Sequence, residues 1–333
     1  MSQASPTTLS YGRAIREGFR YLLANHRDVF VIGQGLWSPW YVGSSMTDLD
    51  KDFGTARVID CPVSEMATTG AAIGASLCGY RPIIVHPRMD FMILATDQIV
   101  NGAAKWRYML GGQSSPKVTI RGIVNRGGEQ GAQHSQALHS WYAHVPGLRV
   151  VMPATTGDAR DLLIASVLCD DPVVFIDDRW LYEQEEVLGD VDLTPLTEVA
   201  PRLLREGADV TLVGASHSVL LCRQAADELS RAGVEADVVD LRVVAPLDVA
   251  AVVRSVRKTG RLCVVDGSWE NCGLAGEVVA AVAERLRPQD FRASPRRVTL
   301  PAAPAPTSRV LESLYYPTSA TVVATVRDMV AAP

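Results

Sequence analysis

Helix-like and strand-like hydrophobic patterns alternate along the whole chain. Tyr11 to Asn25 reads as a helix, and the apolar run DVFVIG, from Asp28 to Gly33, as a buried strand. A second strand, ARVID, runs into Pro62. The helix after it carries Ala67, Ala71, Ala72, Gly74, Ala75 and Ser76, small residues that let another backbone approach closely. There follow a strand RPIIVH, a helix from Asp97 to Met109, a strand KVTIRG, a long glycine-rich loop, a strand LRVVMP, a helix from Asp158 to Leu168 and a strand PVVFID. Such alternation predicts an α/β fold built on largely parallel sheets.

The pattern breaks in a charged, proline-containing stretch from Glu183 to Glu206, which reads as a linker, and then resumes. ADVTLVGA predicts a strand. In SVLLCRQAADELSRAG, Val219, Cys222, Ala226 and Leu229 recur at helical spacing and Gly233 offers a stop. EADVVDL and RLCVVDG predict further strands, GLAGEVVAAVAERL a helix, PAAPAPTSR an irregular loop and SATVVATVRDM a closing helix. A chain of 333 residues is long for one core. The expected division is a first α/β domain over 1–190 and a smaller one over 191–333.

Composition narrows the function classes. Hydrophobic residues at 47% and charged residues at 21% supply a globular core, and a net charge of -5 without any basic run argues against nucleic acid as a partner. The six cysteines are scattered, with no C-x-x-C pair, so packed, reduced thiols are expected. The polar start MSQASPTTLS lacks the apolar core of a secretory signal, and no segment approaches a membrane span of about 20 apolar residues. Those features predict a cytoplasmic protein with no membrane partner.

Candidate chemistry concentrates in three stretches. In DCPVSE, Glu65 falls where a strand gives way to a helix, the usual ligand edge of an open parallel sheet, although an acid in a first helical turn is also favoured by the helix dipole alone. In RGIVNRGGEQGAQHSQALHSWYAH, His134 ends a glycine-rich loop and could act as an acid or base near neutral pH. His139 and His144, five apart and without an acidic or cysteine neighbour, read as structural or surface residues. In VHPRMDFMILATDQ, Phe91 can be core or site, and Arg88 follows a strand end, where a guanidinium can bind phosphate or carboxylate bidentately. Neither a phosphate loop nor a G-x-G-x-x-G fingerprint is present.

These stretches, in this order, resemble the beta subunit of the thiamine-diphosphate-dependent decarboxylase component of 2-oxoacid dehydrogenase complexes, of the pyruvate and branched-chain types. The resemblance is carried by DCPVSEMATTGAAIGASLCGYRPI, DFMILATDQIVNGAAKWRYMLGGQ, GAQHSQALHSWYAHVPGLRVVMP and CDDPVVFIDDRWLY. It implies a pyrimidine-binding domain followed by a transketolase-type C-terminal domain. It implies that Glu65 hydrogen-bonds the cofactor's aminopyrimidine, that Phe91 packs on that ring, and that His134 lies near the reacting carbon. The magnesium motif GDG is missing, and VDGSWENCG resembles the family's C-terminal strand and helix instead. An alpha subunit carrying the diphosphate and Mg²⁺ ligands is therefore implied, in an assembly of two alpha and two beta chains, with a lipoyl or acyl-carrier domain as acceptor. The family's structural potassium ion would fall near Val118, Ser166, Cys169 and Asp171, with Cys169 where an Asp is common.

Departures from the family keep the reaction open. Gln34 stands where an acid usually lies close to the cofactor, and Gln cannot exchange a proton. Trp37, Trp40 and Tyr41 make the next loop unusually aromatic, a lid or a packed surface. Arg88 and Arg126 add charge to normally uncharged positions and suit a phosphorylated donor. Three readings follow: decarboxylation of a 2-oxoacid with acyl transfer to a lipoyl partner; a split transketolase-like enzyme moving a two-carbon ketol unit from a ketose phosphate to an aldehyde or carrier protein; and a non-catalytic partner that keeps only the fold.

Overall fold

A computed structural model describes residues 7–331. The chain forms two compact units, one comprising the chain up to Asn125 with Trp141–Val199, the other Arg126–Ser140 with the chain from Ala200 onward. The glycine-rich segment thus packs with residues far away in sequence, which no local pattern announces.

In the first unit, β1 (Thr7–Ser10) pairs antiparallel with β8 (Glu185–Leu188). The expected linker, Glu183 to Glu206, therefore contains this strand and a second at Arg202–Arg205. In β8, Glu185 and Val187 are exposed, Glu186 is half-buried and Leu188 is buried, so no apolar run betrays it. The main sheet is built from β2 (Val29–Gly33), β3 (Val58–Asp60), β4 (Arg81–His86), β5 (Thr119–Val124), β6 (Arg149–Val151) and β7 (Val173–Asp178). These strands are all parallel and lie in the order β6-β7-β5-β4-β2-β3. β5 and β7 are buried along their whole length, so the charged residues they carry, Arg121, Asp177 and Asp178, are out of water with the apolar ones.

The helices cover this sheet. Tyr11–Asn25 buries Tyr11, Ala14, Ile15, Phe19 and Leu22 at helical spacing. Gly18 lets it approach the helix Thr156–Leu168, for a Cβ there would lie 3.1 Å from the carbonyl oxygen of Arg160. The latter helix starts two residues before the expected Asp158, because the Thr155 side chain accepts a hydrogen bond from the Asp158 N–H at 3.2 Å and caps it. The expected helix from Asp97 to Met109 is instead a π-helical turn over Gln98–Ala103 that continues as α-helix over Ala104–Met109, preceded by 3₁₀ turns over Met89–Ala95. An apolar periodicity does not distinguish i+5 from i+4 closure, so the sequence gives no warning of this change.

A buried ion cluster ties this unit together. Arg121, fully buried, donates through Nε and Nη2 to the two oxygens of Asp177 at 2.8 and 2.9 Å, and through Nη2 to Ser45 Oγ at 3.0 Å and Tyr182 Oη at 2.9 Å. Tyr182 Oη donates in turn to Asp177 at 2.6 Å. The guanidinium also lies 5.5 Å from the Phe19 ring centroid, linking strand and helix.

The second unit holds a five-stranded sheet, β14-β13-β10-β11-β9, made of β9 (Arg202–Arg205), β10 (Val210–Gly214), β11 (Ala236–Asp240), β13 (Leu262–Trp269) and β14 (Arg296–Leu300); the short strand β12 spans Val243–Ala245. Only the edge strand β9 runs antiparallel to its neighbour. The helix His217–Arg231 buries Val219, Cys222, Ala226 and Leu229 and stops before Gly233, whose φ of 80° suits glycine. All six cysteines are free. Among the described residues no helix is long and apolar enough to cross a membrane.

Removing one partner of a buried ion pair leaves the other charge unpaired in a dry interior. Asp177→Asn should therefore destabilise the protein by about 3 kcal/mol or more in urea unfolding, and Arg121→Met with Asp177→Leu should recover much of that loss. Equal stability of Asp177→Asn and wild type would show that the cluster contributes little.

Candidate active site

The carboxyl ends of β2 and β4 and the start of the helix Glu65–Leu77 meet in the first unit. β2 ends at Gly33, where a Cβ would lie 2.6 Å from the Val85 carbonyl oxygen, so the strand can close on its neighbour only with glycine there. The chain then turns, and the Gly35 N–H donates to Asp60 Oδ1 at 2.7 Å. That turn aims Gln34 at Glu65: Gln34 Nε2 donates to Glu65 Oε1 at 3.0 Å. Glu65 is the first residue of its helix and only 6% exposed. The positive end of the helix dipole and the Gln34 amide both stabilise its negative charge. Its second oxygen accepts no hydrogen bond from any described residue.

One turn further along this helix, buried Thr69 places its hydroxyl 3.2 Å from Nε2 of His86, the last residue of β4. Burial pushes the His86 pKa down to about 4, against the opposing pull of the nearby Glu65 charge. The imidazole is therefore neutral near pH 7. Sequence reading missed both residues, because a lone histidine ending an apolar strand has no motif around it.

The other candidates in this unit surround that strand end. Arg88 is half-buried just beyond β4, and Phe91, 37% exposed, lies in the 3₁₀ turns that follow. In the aromatic loop, Trp37 Nε1 donates to the Val58 carbonyl at 2.8 Å, and Trp40 meets Tyr41 edge-on with centroids 6.1 Å apart. Gly35, at φ 64°, lies under the Tyr41 ring, where a Cβ would overlap it. The loop packs on itself and on this unit, with Trp40 still 73% exposed.

The region expected to hold potassium is internally bonded. The Val118 carbonyl accepts the Val173 N–H at 3.0 Å and the Ser166 carbonyl accepts the Cys169 N–H at 3.3 Å. Asp171 is bound by Arg107 and, at 2.9 Å, by Arg149. Among the described residues no group of three or more His, Cys, Asp or Glu side chains could hold a metal ion.

Arg126 and His134 belong to the second unit. Arg126, 7% exposed, donates through Nη1 to the Gly267 carbonyl at 2.8 Å, and a Cβ on Gly267 would lie 2.6 Å from that nitrogen. This guanidinium is engaged with backbone. His134 is half-buried on the loop, after left-handed residues at Gly127, Gly128, Glu129 and Gly131. His139, read as structural or surface, is 1% exposed, and its Nε2 lies 2.9 Å from Asp266 Oδ1. Burial works against the Asp266 charge, but the His139 ring and the N–H groups of Ala275 and Ser268 hold its carboxyl below the usual range. The one sequence signal for Asp266 was its place at the end of the strand in VDGSWENCG.

A buried carboxylate with one oxygen held by an amide and the other uncommitted suits a ring N–H or a protonated ring nitrogen. The first unit's donor set therefore fits an aminopyrimidine. It offers no phosphate cradle of the glycine-lysine type.

Comparison with known proteins defines the class. The transketolase pyrimidine-binding domain matches residues 7–184, and the transketolase C-terminal domain residues 200–322. The beta subunit of acetoin:2,6-dichlorophenolindophenol oxidoreductase from Cupriavidus necator is 38% identical over 96% of each chain, and that from Bacillus subtilis 34% over 98% of each. The mitochondrial pyruvate dehydrogenase E1 component subunit beta from Saccharomyces cerevisiae is 34% identical over 98% of this chain and 90% of its own. A solved structure described as a split gene transketolase, inactive beta4 tetramer, shares the fold with a TM-score of 0.75 at 21% identity, over 97% of this chain and 98% of that one. The chain belongs to the transketolase family, and within it to the beta subunits of the thiamine-diphosphate-dependent dehydrogenases.

His86 gives this site a pH signature. A group whose folded pKa lies near 4 and whose unfolded pKa is 6.5 binds more protons when unfolded, so its contribution is complete above pH 6.5 and is lost as pH falls toward 4. Wild type should lose about 3 kcal/mol more than His86→Phe across that window in urea titrations. Parallel pH dependence of the two proteins would show that His86 is not buried neutral.

Proposed function

We propose that this chain is the beta subunit of a thiamine-diphosphate-dependent enzyme that decarboxylates a 2-oxoacid, pyruvate or an analogue, and passes the acyl unit to a lipoyl partner. The observation that carries the reading is the Gln34–Glu65 pair at the sheet edge, in a chain matched nearly end to end by dehydrogenase beta subunits. The first domain, over 1–190, would bind the pyrimidine, and 191–333 would form the C-terminal domain. An alpha subunit would supply the diphosphate and Mg²⁺ ligands, in an assembly of two alpha and two beta chains. A potassium ion near Val118, Ser166, Cys169 and Asp171 would be structural. Six free cysteines suit a reducing compartment and support a cytoplasmic location.

When bound, the cofactor supplies a stabilised carbanion at its thiazolium carbon. Glu65 holds a proton between its free oxygen and the pyrimidine ring nitrogen, so that the adjoining amino group can act as a base. Gln34 fixes the Glu65 rotamer through its other oxygen and, unlike a carboxylate, adds no second negative charge there. Phe91 presents an aromatic face to the ring, and His134 contacts the substrate and assists transfer to the acceptor.

A second reading is favoured by the two acetoin oxidoreductase relatives, whose similarity covers 96% and 98% of the chain: the same residues would serve an oxidoreductase acting on acetoin. The ketose-phosphate reading depends on Arg88, since Arg126 donates to the Gly267 carbonyl. Arg88→Ala should raise the KM for a phosphorylated donor about tenfold if that reading holds, and leave turnover of pyruvate nearly unchanged otherwise.

The test copurifies the chain with its alpha partner and offers pyruvate, branched 2-oxoacids, acetoin and ketose phosphates in parallel, with a lipoyl or acyl-carrier domain read by intact mass. The proposal expects an acyl adduct on the lipoyl domain from a 2-oxoacid, falling by about a hundredfold in rate with Glu65→Ala. A ketol adduct formed only from a sugar phosphate would replace it with the split-transketolase reading. Thiamine-diphosphate binding and turnover unchanged in Glu65→Ala would remove Glu65 from the mechanism.

A further inference from the structure

We infer that Asp266 and Gly267, in the second half of strand β13, form a two-point clamp that positions His134, with the buried His139–Asp266 pair as its principal hold. The inference rests on the reading above, in which His134 faces the reacting atoms.

The loop that carries His134 has no regular structure of its own between Gly127 and Leu138. Gly127, Gly128, Glu129 and Gly131 all have left-handed φ, and for Glu129 that conformation is a cost its own side chain does not explain. Such a segment is ordered by what grips it. At its entrance Arg126 donates to the carbonyl of Gly267 at 2.8 Å. At its exit His139 bonds Asp266 at 2.9 Å, the residue immediately before Gly267. Two consecutive residues of one strand therefore hold both ends of the loop, and His134 lies inside the span they fix.

Further bonds seat the span on the same unit. The Glu129 N–H donates to Glu312 Oε2 at 2.9 Å, which accounts for the left-handed residue, and a Cβ on Gly131 would collide with the Thr307 methyl at 2.4 Å. Next to His139, Ser140 Oγ accepts the N–H of Leu274, the first residue of the helix Leu274–Ala283. Asp266 itself accepts the N–H of Ser268 at 3.1 Å and of Ala275 at 3.2 Å. Its carboxylate thus joins strand, helix start and loop, and it is 3% exposed while His139 is 1% exposed. A bond this deeply buried resists competition from water, so the loop exit has one position. His139 and Asp266 touch no reacting atom in this account; they act through His134 and are positioning residues.

The test uses the chain assembled with its alpha partner, thiamine diphosphate and Mg²⁺, and reads hydrogen exchange, cofactor affinity and steady-state kinetics together. His139→Leu should raise exchange across 127–138 about tenfold while leaving strand Val210–Gly214 protected, and should lower kcat about tenfold with donor KM and cofactor Kd within about threefold. His139→Gln, which keeps an N–H for Asp266, should restore most of both. The inference is overturned if loop exchange is unchanged in His139→Leu, if exchange rises without loss of kcat, or if the whole second unit loses protection equally. Should His139→Leu fail to assemble, Arg126→Gln cuts the other end, and the same exchange readout decides. Loop exchange needs no donor. Absence of turnover by wild type on every 2-oxoacid would therefore overturn the proposed reaction while the clamp is still decided by exchange.

Discussion

A carboxylate held out of water at the edge of a parallel sheet is the constraint around which the first unit is arranged. Leaving Glu65 6% exposed would cost several kcal/mol if nothing answered its charge. Two features answer it: the first turn of its own helix and the Gln34 amide at 3.0 Å. Each requires particular backbone. Gly33 lets β2 close against β4 before the chain turns, and the Asp60 bond to the Gly35 N–H sets the direction of Gln34. The result is an acceptor oriented at one oxygen and uncommitted at the other, which is what a ring that must exchange a proton needs.

The second unit meets a different constraint, the ordering of a glycine-rich loop whose conformation its own sequence does not enforce. Strand β13 carries Asp266 and Gly267 in its second half, one supplying a carboxylate and the other an accessible carbonyl. Gly267 has to be glycine because the Arg126 guanidinium occupies the space of a Cβ. An arginine that looked like a phosphate anchor in the sequence gives one of its N–H groups to the Gly267 carbonyl.

Much of this was legible beforehand. Tyr11–Asn25 and the helix His217–Arg231 each show one clean helical period, β2 and β4 are short apolar runs, and tertiary packing agreed with both patterns. The place of Glu65 between a strand and a helix was legible because a proline and a small-residue helix follow the strand, while the role expected of it came from the family resemblance. The rest was hidden for physical reasons. β8 is an exposed strand whose backbone pairing with β1 matters more than its side chains. The π turn at Gln98–Ala103 leaves the apolar spacing nearly unchanged. His139 finds its carboxylate 127 residues away, and His86 finds its hydroxyl on a helix 17 residues earlier, so neither has a local signature.

The central claim is that Glu65, oriented by Gln34, governs proton removal at the cofactor's reactive carbon. Its most direct test is the exchange of the thiazolium C2 proton with D₂O in the alpha–beta assembly, quenched in acid and read by NMR, for wild type and Glu65→Gln at saturating cofactor. The account predicts exchange slower by about a hundredfold or more in the variant, with the second unit's loop protection unchanged. Equal exchange rates in the two proteins, with cofactor bound in both, would contradict it.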